Sequence, residues 1–145
     1  MKYDIHIQPV QADKVQGSKC MEFGFTAAAA STGFQSLIDR WLKILLTPAG
    51  SCPLHASMGT SFMEATSSIV STNEGEVRAL CTQAIQEANT QVTNQDINSS
   101  REETELLDEA NIVYLVIDND RIDLWVEISN MAGELLTVPI AQAQE

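Results

Sequence analysis

The sequence predicts an α+β protein in which two or three helices pack on a small, mainly antiparallel C-terminal sheet, with an N-terminal strand-like arm before them. Three observations lead there. Apolar residues recur at spacings of three and four between Phe34 and Ala88, the period of helices with one buried stripe. From Ile112 onward the pattern changes to β-branched runs and period-two alternation. A length of 145 residues, 44% of them hydrophobic, suits one core and is short for two.

Taken in order, residues 4–10 alternate Ile5, Ile7 and Pro9 with polar neighbours and read as a short strand. Pro9 lacks an N–H, so that strand belongs at an edge or an end. Residues 11–32 are small, polar and glycine-spaced, with Met21, Phe23 and Phe25 hinting at another extended piece. Residues 1–32 are therefore expected to be an arm or extension. In the first strong helix Phe34, Leu37, Ile38, Trp41, Leu42 and Leu45 form the stripe. Ser31 or Thr32 is its expected cap, and Thr47-Pro48 its stop, because a residue preceding proline is driven out of the helical region. Residues 47–58, with two prolines and a glycine, read as an ordered loop.

A weaker helical piece is expected over 61–70. Ser71 and Glu74 then have the spacing of a capping box and open a second long helix, with Val77, Leu80, Cys81, Ala84, Ile85 and Ala88 on its buried side. The Asn- and Gln-rich stretch 89–99 is expected to end it. Ser100 and Glu103 suggest another capping box and a short acidic helix to Ala110. Beyond lie strands at 112–117, at 122–128 with Ile122, Leu124, Val126 and Ile128 on one face, and at 135–140. The domain proper is thus 33–140, followed by a polar tail over 141–145.

Charge narrows the partners. Twenty acidic residues against eight basic ones give a formal charge of −12, unfavourable for attraction to nucleic acid phosphates or anionic lipid, so the expected partners are proteins. Residues 1–58 hold five Lys or Arg and four Asp or Glu, whereas residues 59–145 hold three and sixteen. Copies of such a chain in a ring would repel one another unless a more basic neighbour lay between them; the alternative reading of the charge is solubility alone. No stretch has the ~18 apolar residues of a membrane span, and the first ten residues lack the apolar core of a signal peptide. Cys20, Cys52 and Cys81 are odd in number and outside metal-ligand spacings, which suits a reducing compartment.

Catalytic patterns are weak. Asp39, Glu64 and Glu74 near the central loop invite a paired-carboxylate reading, against which stands the commoner case of acids on solvated helix faces. Cys52 and His55 are three residues apart without an orienting third group, and His6 lies far from both. The glycines form no phosphate-binding motif. No catalytic residue, cofactor or metal is assigned. What remains is interaction surface: a strand edge at Ile5 and Ile7, which could instead pair with the chain's own sheet, and Trp125, placed on the polar face of its strand as a hot-spot candidate, whereas Trp41 reads as core.

The segment 38–62, IDRWLKILLTPAGSCPLHASMGTSF, resembles the small baseplate wedge family of contractile phage tails, also described as lysozyme-like. The family pattern is a helix ending in Leu-x-Thr-x-x-Gly, then Pro, then a Gly that opens the next helix. Leu45, Thr47, Gly50, Pro53 and Gly59 match it, and Pro48 fits a frequent family choice. More loosely the likeness runs over residues 33–140. Two motifs depart: Ser51 stands where a Glu is usual, and Thr93-Asn94-Gln95-Asp96-Ile97 where Glu-Pro-Arg is usual.

The resemblance implies a fold similar to the terminal domain of the tail sheath subunit and a non-enzymatic role. The chain would join other baseplate wedge proteins to the first sheath ring and template sheath assembly. It would be present in several copies, a multiple of six, in the virion tail baseplate, after assembly in the host cytoplasm. Ile5 and Ile7, or the strand 135–140, would supply edge pairing, and the loop from Thr47 to Gly59 would dock wedge partners. The alternatives are a peptidoglycan-cleaving lysozyme-like enzyme and a baseplate component of a bacterial contractile secretion system.

Overall fold

A computed structural model describes residues 7–11, 19–23, 32–67, 74–118 and 121–143. Its elements are strands β1 (Ile7–Gln11) and β2 (Lys19–Phe23), helices α1 (Phe34–Leu46), α2 (Phe62–Ser67) and α3 (Glu74–Ile97), a 3-10 turn at Glu103–Glu105, and strands β3 (Leu107–Asp118), β4 (Arg121–Asn130) and β5 (Leu135–Ala143). β3, β4 and β5 form an antiparallel meander in that order, against which the helices pack, so the α+β expectation holds. β1 and β2 form a separate antiparallel pair in which Ile7 stands opposite Phe23. Residues 7–11 therefore pair with 19–23 and not with the meander; Ile5 lies outside the described residues.

The alternation read in β4 is the one observed: Ile122, Leu124, Val126 and Ile128 are all buried, and Val138 and Ile140 of β5 join them beneath the helices. α1 is buried more completely than a single stripe requires. Ile44, Asp39 and Arg40 lie inside along with Leu37, Ile38, Trp41, Leu42 and Leu45, because α2, α3, the 3-10 turn and β4 surround the helix. Each fully buried Leu, Ile or Trp here removes enough apolar surface from water to contribute about 2–3 kcal/mol. Trp41 is core, as read, and it also donates from Nε1 to Asn89 Oδ1 at 2.8 Å, while Asn89 Nδ2 donates to the Ala110 carbonyl at 3.0 Å. One amide thus ties α1, α3 and β3 together.

Several boundaries differ from expectation. The N-cap of α1 is Gly33, at φ 61°, with no side-chain cap bond, although Thr32 stands next to it. α3 ends inside the Asn/Gln-rich stretch 89–99, as expected, but only near its far end at Ile97, because Asn89, Gln91 and Asp96 use their polar groups on neighbouring elements. Leu80 sits beside the buried stripe, 39% exposed, and Val92 extends that stripe instead. The acidic helix expected to Ala110 is a single 3-10 turn, and β3 starts at Leu107. Leu107 and Ala110 are buried with exposed Asp108 and Glu109 between them, at an irregularity in the register that lengthens the strand by one residue on one side. β5 reaches Ala143, so strand structure enters the stretch read as a tail. The expected caps at 71–73 and the turn at 119–120 lie outside the described residues.

Arg40 closes this junction. Its Nη1 meets Asp96 Oδ1 at 2.5 Å and its Nη2 donates to the Glu105 carbonyl at 2.7 Å, while Asp96 Oδ2 accepts the Leu107 N–H at 3.1 Å. Both ions are nearly out of water, where loss of one partner strands the other. Asp96→Ala is expected to lower the unfolding free energy by about 3–5 kcal/mol. Glu74→Ala, at the exposed 3.8 Å pair with Arg78, is expected to stay within about 0.5 kcal/mol of the parent. Urea unfolding of the two variants checks both values.

Candidate interaction surface

The loop between α1 and α2 is closed at its neck and exposed along its length. Thr47 has left the helix, at φ −83° and ψ 122°, as its following proline requires. Its hydroxyl turns back to the Lys43 carbonyl at 2.5 Å, and its carbonyl accepts the Thr60 N–H at 2.9 Å. Ala49 N–H donates to the Thr60 carbonyl at 3.1 Å, completing a short parallel bridge between Pro48 and Thr60. Thr60 is buried, with its hydroxyl on the Leu45 carbonyl at 2.7 Å. The thirteen-position span from Thr47 to Gly59 read from the sequence is therefore an Ω-like loop with joined ends.

Gly59 is what lets the neck close. Its φ is 111°, and a Cβ placed there would lie 2.6 Å from the Thr47 carbonyl oxygen and 2.7 Å from that of Pro48. Backbone approaches that close leave room only for hydrogen. Gly50, at φ 74°, supplies a left-handed turn with open space around it. Within the loop, the Ser51 hydroxyl and N–H both donate to the Pro48 carbonyl at 2.7 and 3.1 Å, His55 N–H to that of Cys52 at 3.2 Å, and Met58 N–H to that of His55 at 2.9 Å. Successive turns thus give order without burial.

α3 holds the exit of the loop. Gln91 brackets Gly59, its Oε1 accepting the Gly59 N–H at 2.9 Å and its Nε2 donating to the Gly59 carbonyl at 2.6 Å. One turn earlier, Glu87 Oε2 accepts the Ser61 N–H at 2.9 Å and the Ser61 hydroxyl at 3.2 Å, while Gln83 Nε2 donates to Glu87 Oε1 at 3.1 Å. Neither Glu87 nor Gln91 is singled out by sequence reasoning. The signal available was the four-residue spacing Gln83, Glu87, Gln91 beside a buried stripe.

The structure thus brings Thr47, Pro48 and Gly59 together, sets Gly50 and Pro53 on the exposed loop, and puts Trp125 elsewhere, on β4. Ile7 is in β1, backbone-paired to Phe23. At the loop's outermost stretch Leu54 is 88% exposed, flanked by exposed Pro53 and His55. From Ile44 to Met63 the sequence contains no Asp, Glu, Lys or Arg. In a chain of this charge, such a neutral surface has the composition of an interface core, from which charges are depleted.

The acids considered as a catalytic pair diverge in environment: Asp39 is buried and accepts from Gln35 Nε2 at 2.8 Å, whereas Glu64 and Glu74 are exposed. Cys52 and His55 are joined through a backbone turn. Burial pushes the Cys81 thiol up to about 11, which suits a core thiol. Among the described residues no group of three or more His, Cys, Asp or Glu could hold a metal ion, and no helix is long and apolar enough to cross a membrane. Comparison of the chain with protein families, curated proteins and solved structures finds no match.

The two loop glycines make a discriminating test. Gly59→Ala meets a positive φ and two carbonyl oxygens, and is expected to lose more than about 2 kcal/mol. Gly50→Ala meets the positive φ alone, and about 1 kcal/mol is expected. Chemical denaturation should rank them in that order.

Proposed function

We propose that the chain is a structural baseplate wedge subunit of a contractile phage tail, joining wedge proteins to the first sheath ring, with the loop from Thr47 to Gly59 as a docking element. The observation that carries the reading is the loop itself: exposed, free of Asp, Glu, Lys and Arg, and held in one shape before any partner arrives. A preorganised apolar tip loses little conformational freedom on docking, which favours affinity per contact. Every position of the family resemblance has a physical task in forming it. Leu45 anchors the helix end in the core, Thr47 and Pro48 turn the chain, Gly50 bends it, Pro53 stiffens the tip beside Leu54, and Gly59 admits the neck.

Two features support a subunit that works by contact. The outer edge of β3 has no further strand paired to it among the described residues, as an assembly that adds strands would need, whereas β2 lies beside β5 on the other side. The acidic second half calls for neighbours of opposite charge, as expected of a small chain set between larger ones.

Quantitative mass spectrometry of purified contractile particles is expected to find the chain at a fixed small multiple of six copies; its absence would end the wedge reading. Leu54→Asp tests the loop in the same particles. It is expected to fold as the parent does, because Leu54 is almost wholly solvent-exposed, and to fall at least about tenfold in incorporation. Normal incorporation of that variant would remove the loop from the docking surface.

A further inference from the structure

We draw no further inference here: the strongest candidate, the outer edge of β3 with exposed Val113, Tyr114 and Val116 along it, is an apolar edge unpartnered among the described residues, and nothing in the structure shows what covers it.

Discussion

The ion pair of Arg40 with Asp96 sits where α1, the end of α3, the 3-10 turn and the first residue of β3 converge. A helix as enclosed as α1 could not hold a charged residue at that position without a counter-ion and further acceptors. The Glu105 carbonyl and the Leu107 N–H complete the set, so backbone that would otherwise be unpaired at a chain reversal is satisfied in the same stroke. This fixes how far α3 must run. Asp96 has to arrive beside Arg40, which takes the helix through the Asn/Gln-rich stretch to Ile97 and so brings Gln91 and Glu87 into line with the exit of the loop. The clamps at the exit of the loop thus stand on a helix whose far end is fixed by a pair buried elsewhere in the fold.

Much of this architecture was legible because periodicity reports burial directly. The stripe of α1, its stop at Thr47-Pro48 and the buried face of β4 each follow from one repeating environment, and each is observed. Gly59 was named for a different reason, as the glycine that opens the next helix in the pattern the segment resembles, and two carbonyl oxygens fill the space where its Cβ would be. What misled is equally specific. Asn89 and Asp96 are poor helix formers by propensity, yet they and Gln91 each have a partner that no local pattern reveals, which carries α3 almost through the stretch 89–99. Glu102 to Ala110 mimics a capped acidic helix, while burial of Leu107 and Ala110 beside the sheet makes a strand of its second half.

The candidate surfaces were legible to different degrees for the same physical reason. The loop announces itself through prolines and glycines, which act locally, so its members Thr47, Pro48, Gly50, Pro53 and Gly59 could be named in advance. Its clamps, Glu87 and Gln91, act across about thirty residues of chain and could not. Trp125 could be placed on a polar face by alternation alone. Its neighbours Tyr114 and Pro139 required the register, and the exposure of Val113 required the irregularity between Ile112 and Tyr114 in β3, which leaves no mark on an otherwise apolar run.

Placing a neutral loop and an acidic meander on one small chain has a consequence for how it would meet its neighbours. Contacts at the loop lack long-range attraction, so their rate depends on chance encounter, and their strength on the fit of a rigid tip. Contacts at the meander would be steered by charge over roughly a Debye length and weakened by salt. A chain with both would be captured first through the meander and set in register afterwards by the loop, since steering tolerates error in orientation and an apolar tip does not. The division follows from sequence: the loop lies in a segment without Asp, Glu, Lys or Arg, and the meander in the segment that holds half of the chain's twenty acids.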